Sequence, residues 1–253
     1  MESKKAVVRR DDFIFGTRAV MEAIRAGRPI DKVLIRNGLS NELFGELYGL
    51  IRENGVAFQY VPAEKMDRIT RKNHQGVIAL LSVVEFHRLE DLLPGIYERG
   101  EDPLILVLDQ VTDVRNFGAI VRSAECAAVH VVIIPEKGAA RVNEDAMKTS
   151  AGALNLVPVC RVSNPGKAVD FLRQSGVRVV AATEKGGNLY TAAVMAGPLA
   201  IIVGSEEHGI SPILLQKADE LVKIPLFGKI GSLNVSVAAS LMLFEAVRQR
   251  NAS

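Results

Sequence analysis

Cysteine is nearly absent from the 253-residue chain: only Cys126 and Cys160 occur, with no CxxC pair and no histidine cluster. That excludes a disulfide framework and a Cys/His zinc site, and two packed thiols are the expected outcome. Long apolar runs are missing too. No stretch approaches the roughly 20 residues that span a bilayer, and the opening MESKKAVVRRDD lacks the apolar centre of a signal peptide, so a cytoplasmic location is expected. Charge of either sign is scarce as a net quantity. The total of +2 argues neither for nor against a nucleic-acid partner. Its distribution is less even: residues 1–85 carry 14 Lys and Arg against 11 Asp and Glu, whereas residues 101–253 carry 15 of each. The usual phosphate signatures are also lacking. With no GxGxxG after an early strand and no Gly-Lys-Ser/Thr loop, a Rossmann dehydrogenase or a P-loop nucleotide hydrolase is disfavoured.

What is present suits a soluble protein with a proper core, at 48% apolar residues. After a charged tail, residues 1–10, the chain alternates. FGTRAVMEAIRAG reads as a helix closed by Gly27, KVLIR as a strand, NELFGELYGLIREN as an amphipathic helix, and VAFQYV as a strand. EKMDRITRKNHQG reads as a small helix running into a basic loop, and VIALLSVV as an apolar strand. Residues 11–85 are therefore expected to form one small α/β module. The stretch 86–102, with Pro94, Gly95 and Gly100 among charges, reads as a linker, although a short helix fits within it. From residue 103 to 253 the runs LILVLD, VHVVIIP, VRVVAAT, LAIIVG and ELVKIPL alternate with helical segments. This predicts an α/β domain on a mostly parallel sheet, with ligands gathering outside the carboxyl ends of the strands.

Polar and glycine-rich residues collect at those ends. LDQVTDVRNFGAIVRSAE places Asn116 near a helix start and aims Arg122 over Gly118 and Ala119 toward the loop. A surface pairing of Arg122 with Glu125 or Asp113, and a mere capping role for Asn116, are the competing readings. In GSEEHGIS, Gly204 ends a strand, and the adjacent Glu206 and Glu207 cannot both face one pocket. His208 reads as a loop surface residue. The stretch Lys223 to Arg250 passes through a glycine loop into a helix that is apolar on nearly every side and is expected to be buried. Ser232 and Asn234 stand at its start, beside free helix-end N–H groups.

Together, NFGAIVR, GSEEHG and IPLFGKIGSLNVSVA, each following an apolar strand, resemble the three motifs of the SpoU family of RNA ribose 2′-O-methyltransferases in the SPOUT superfamily. FGTRAVMEAI and its module are similar to the ribosomal-protein-like RNA-binding domain of the TrmH and RlmB branch. Two departures stand out: Asp113-Val114 where the family often has Asp-Pro, and Phe15-Gly16-Thr17-Arg18 where Tyr-Gly-x-His is frequent. The resemblance implies a C-terminal deep trefoil knot, a homodimer, and S-adenosylmethionine held by Gly204, Ile224 and Leu233. It also implies a catalytic cluster of Asn116, Arg122, Glu206, Ser232 and Asn234, with no metal. Ribosomal RNA is the implied partner, a large-subunit guanosine the implied target, and Arg18, Arg68, Arg71, Lys72 and His74 the implied docking surface. In that chemistry Arg122 is expected to stabilise a developing alkoxide, because guanidinium groups stay protonated in proteins. Glu206 is expected to order Asn116 and Ser232. A SpoU-type transfer RNA methyltransferase and a non-catalytic RNA-binding or ribosome assembly protein of the same fold are the alternatives.

Overall fold

The computed structural model describes residues 13–252, and the stretch expected as a tail, residues 1–10, lies outside them. The chain divides into two compact units, Met1–Glu85 and Phe86–Ser253.

In the first unit the order is β1 (Phe13–Phe15), α1 (Thr17–Arg25), β2 (Ile30–Arg36), α2 (Glu42–Glu53), β3 (Phe58–Val61), α3 (Ala63–Asp67) and β4 (Val77–Leu81). The strands lie in the order β1-β4-β2-β3, with β2 parallel to β3 and β4 antiparallel to both β1 and β2. Alternation along the strands supplies two apolar faces. Val33, Ile35, Val77 and Ala79 pack with Val20, Ile24, Leu47 and Ile51 of α1 and α2, while Leu34, Ile78 and Leu80 pack with Met66 of α3.

The second unit continues with β5 (Phe86–His87), α4 (Leu89–Glu98), β6 (Leu104–Asp109), α5 (Val114–Cys126), β7 (Val131–Pro135), α6 (Glu144–Thr149) and β8 (Val159–Val162). It ends with α7 (Pro165–Gln174), β9 (Arg178–Ala182), β10 (Asn188–Leu189), β11 (Leu199–Gly204), α8 (Pro212–Lys217), β12 (Glu220–Lys223) and α9 (Val235–Arg250). The sheet runs β10-β12-β9-β11-β6-β7-β8-β5, and every pairing in it is parallel. The chain moves outward from β6 to β7 and β8, then crosses to the other side for β9 and β11. The order therefore reverses beside the β6–β11 pair, and the carboxyl ends of those two strands flank the crevice.

Three expectations need correction. Residues 86–102 are not a linker: β5 pairs with β8, and Leu89, Leu93 and Ile96 of α4 enter the main core of the second unit. Pro94 inside α4 costs about 3 kcal/mol, but three buried apolar side chains at about 1.5–3 kcal/mol each outweigh it. The thiols also differ from one another, since Cys126 is exposed and only Cys160 is buried, where desolvation pushes it up to about 12. Finally, α9 is not buried all round. Val235, Ala239, Met242, Leu243 and Ala246 face the interior, while Val237, Leu241 and Phe244 remain 47%, 37% and 48% exposed. Among the described residues no helix is long and apolar enough to cross a membrane.

Candidate active site

The loop after β6 turns at Gln110, whose φ is +57°, and reaches α5 through Asp113. The helix starts earlier than the sequence suggests, because Asp113 is its cap: one carboxylate oxygen accepts the N–H groups of Arg115 at 2.9 Å and Asn116 at 2.8 Å. Val114 fills the first helical position, the one best suited to proline. Asn116 therefore sits in the first turn with its side chain free of capping duty.

That side chain meets the loop after β11. Asn116 Nδ2 donates to Glu206 Oε1 at 3.1 Å, and the same oxygen accepts Asn234 Nδ2 at 2.8 Å and the backbone N–H of Val235 at 3.1 Å. Asn234 Nδ2 also donates to Asn116 Oδ1 at 3.0 Å. One ionised carboxylate, an acceptor without donors, is thus matched by three N–H groups, the arrangement that gives charge-assisted bonds their strength. Asn234 serves two purposes at once, for its Oδ1 caps α9 by accepting Ser236 N at 2.9 Å and Ser236 Oγ at 2.5 Å.

Other expected residues fall differently. Ser232 is exposed and makes no hydrogen bond among the described residues, so the partner that Glu206 bonds beside Asn116 is Asn234 rather than Ser232. Arg122 is exposed and pairs with neither Glu125 nor Asp113, nor with the cluster. The smallness of Gly118 does not make room for it. A Cβ there would lie 2.7 Å from Thr149 Cβ and 2.9 Å from Ala146 O, so this glycine lets α6 pack against α5. Gly204 is similarly explained by close approach of backbone, because its Cβ would lie 2.2 Å from both C and O of Gly209. The loop 205–209 folds back on the strand end through a Ser205–Gly209 bridge. Ile224 and Leu233 are half-buried on either side of the glycine loop.

Sequence reasoning missed Asp109, which is 4% exposed and whose Oδ2 accepts Ser211 N at 2.6 Å. This bond ties the end of β6 to the start of α8 and so fixes the two loops that carry Asn116 and Glu206. A buried acid at the end of an apolar strand was the available signal.

In the first unit, Arg18, Arg68, Arg71 and Lys72 are exposed. His74 is instead a structural residue of the basic loop. Its Nδ1 accepts Gly76 N at 3.0 Å and its Nε2 lies 3.2 Å from Asp67 Oδ1. Gln75, with φ +54°, turns its Oε1 to accept Thr17 N at 3.2 Å, supplying the cap that Gly16 cannot. Lys72 Nζ lies 5.8 Å from the centroid of Phe15. The basic loop and the start of α1, which carries Arg18, thereby become one surface.

Residues 103–244 match the SpoU rRNA Methylase family, and residues 13–86 match an RNA 2′-O ribose methyltransferase substrate-binding domain. A Staphylococcus aureus protein assigned to the TrmH family of tRNA/rRNA methyltransferases is 36% identical over 95% of this chain and 97% of its own. YacO of Bacillus subtilis, assigned to the same family, is 32% identical over 95% and 96%. Among solved structures, the SpoU methyltransferase AviRb of Streptomyces viridochromogenes in complex with AdoMet superposes with a TM-score of 0.62 at 25% identity, covering 98% of this chain and 96% of that one.

Proposed function

Because the chain belongs to the SpoU rRNA Methylase family of RNA methyltransferases, we propose that it methylates a ribose 2′-hydroxyl, that of a guanosine in large-subunit ribosomal RNA, from S-adenosylmethionine. The observation that carries this reading is the bonded cluster of Asn116, Glu206 and Asn234, one residue from each of three distant segments, at the switch point of a parallel sheet.

The residues present fit the cofactor. Half-buried Ile224 and Leu233 offer apolar contact beside a polar cluster. Gly204, Ile224 and Leu233 would hold it through backbone groups and apolar surface. When bound, S-adenosylmethionine supplies a methyl group already made electrophilic by its sulfonium. The chain's own task is to align the ribose oxygen and help its hydroxyl lose a proton. Arg122, unpaired within the described chain, stabilises the developing alkoxide and orients a phosphate, with the proton passing to phosphate or water. Glu206 keeps Asn116 and Asn234 in register, and Ser232 stands beside them on the same loop. In the substrate-binding unit, Arg18, Arg68, Arg71 and Lys72 contact phosphate, and His74 holds their loop in shape.

Two further features of the reading have support in the second unit. The exposed Val237, Leu241 and Phe244 line, with Ala119, Ser123 and Tyr190, an open cleft of about 510 Å³, which favours a second subunit against this face. Gln249 donates to Ala193 O at 2.9 Å and accepts Met195 N at 2.8 Å, so residues 193–195 pack against the last turn of α9, the helix that the proposed trefoil knot would thread. A cytoplasmic site of action follows from the RNA substrate. The relatives assigned to tRNA/rRNA methyltransferases favour a transfer RNA substrate as the second reading. Transfer of labelled methyl to total RNA, followed by nucleoside analysis and site mapping, decides between them. Methylated guanosine in 23S-sized RNA supports the first reading, label confined to transfer RNA the second. Absence of S-adenosylmethionine binding would leave a non-catalytic RNA-binding protein.

A further inference from the structure

The loop between β12 and α9 presents apolar side chains that nothing among the described residues covers. Phe227 is 97% exposed and Ile230 79%, the two highest values among the exposed large hydrophobic residues described. A benzyl side chain left wholly in water forgoes the burial that normally places phenylalanine inside. The glycines around it have no internal reason either. Neither Gly228 nor Gly231 has a positive φ, and apart from its chain neighbours neither has a described atom within 4 Å of where a Cβ would project. Conformation and packing among the described residues would thus both tolerate larger residues.

Charge indicates what kind of partner the loop suits. From Lys223 to Phe244 the only charged residues are Lys223 and Lys229, with no carboxylate. Lys229 stands between Phe227 and Ile230, so a bare aromatic ring, an aliphatic side chain and a cation occupy one short loop. Proteins grip unpaired nucleotides with this combination, a π-face for the base and a cation for its phosphate. The position is also apt. Phe227 precedes Ser232 by five residues, which even fully extended span no more than about 18 Å, so the ring is tethered near the Asn116–Glu206–Asn234 cluster.

We propose that Phe227, with Lys229 beside it, is a stacking platform for an unpaired base of the substrate RNA next to the ribose that is methylated. The proposal rests on the methyltransferase reading and deepens it, by naming a residue that selects a target in unpaired rather than duplex RNA.

The chain contains no tryptophan and four tyrosines, so Phe227→Trp introduces a single tryptophan, excitable selectively over the tyrosines, at the platform in the full-length protein. A stem-loop RNA carrying an unpaired loop should quench it saturably, while a blunt duplex of equal length and S-adenosylmethionine alone should not. Phe227→Ala should raise the KM for RNA about five- to a hundredfold, with kcat and cofactor affinity within about twofold of wild type. Phe227→Tyr should restore KM. Quenching by S-adenosylmethionine alone would make the loop a cover for the cofactor. Fluorescence that follows protein concentration alone would make it a contact between subunits. Either result, or a wild-type KM for Phe227→Ala, overturns the proposal. Wild-type protein that transfers no methyl group to RNA, while Phe227→Trp is still quenched by the stem-loop, would count against the enzymatic reading and leave the platform standing.

Discussion

Glu206 Oε1 lies 2.8 Å from Asn234 Nδ2, which makes the carboxylate a bridge between the loop after β11 and the cap of α9. The same oxygen accepts from Asn116 and from Val235 N, which supports the proposed role of positioning these donors rather than moving a proton. Glu206→Gln keeps the shape but weakens each bond from charge-assisted to neutral, roughly halving its strength. The expected outcome is a fall in kcat of about ten- to a hundredfold with cofactor affinity retained, as measured by single-turnover methyl transfer and calorimetry. A large loss of S-adenosylmethionine affinity would make Glu206 a ligand of the cofactor instead.

Arg122 is exposed and bound to nothing in the described chain, so its removal leaves no buried partner unsatisfied. Arg122→Ala should leave the denaturant midpoint nearly unchanged, within about 0.5 kcal/mol. Turnover should fall about a hundred- to a thousandfold, the usual cost of losing one donor to a developing oxyanion. Near-normal turnover with intact cofactor binding would remove Arg122 from the chemistry.

The order of the apolar strands in the second unit was readable because each is a run of Val, Ile and Leu bounded by polar residues. Short or edge strands were not. β5 and β10 are two residues each, below what periodicity can register, and β8 is only four residues with the charged Arg161 among them. At the site, the sequence identified Asn116, Glu206 and Asn234 but not how they bond, since their contacts join positions 28 to 118 residues apart. The roles of the glycines were hidden for a different reason. Gly118 and Gly204 each admit no side chain because another backbone or helix of the same chain lies where a Cβ would project, which only tertiary packing reveals. Histidine was ambiguous in the same way: His74 looked like part of a basic surface, but both its ring nitrogens are engaged locally.

That distinction can be measured on the first unit. Lys72→Ala and Arg71→Ala remove exposed cations and should weaken RNA binding uniformly across sequences, each lowering the slope of log affinity against log salt by about 1. His74→Ala should instead lower stability by about 1 kcal/mol, the scale of a lost hydrogen bond, and leave the salt slope in place. A salt slope that drops with His74→Ala would restore it as a phosphate contact.

His130, which precedes β7 at the amino ends of the strands, sets a pH dependence. Its Nδ1 accepts Leu104 N at 3.0 Å, so the ring proton belongs on Nε2, 3.3 Å from Glu101 Oε2. Protonating Nδ1 would break the bond to Leu104. Burial is the main cause that holds this imidazole below its ordinary range, Arg250 and Arg99 add to it, and Glu101 opposes them. The unfolded chain therefore takes up the proton more readily than the folded one, and stability rises with pH across that window. The contribution is complete above the unfolded histidine value of about 6.5 and is lost as pH falls through the folded value. Urea midpoints taken from about pH 7.5 down to about pH 5.5 should decline more steeply in the wild type than in His130→Gln, which has no proton to gain. Parallel declines in the two proteins would assign the pH dependence to other groups.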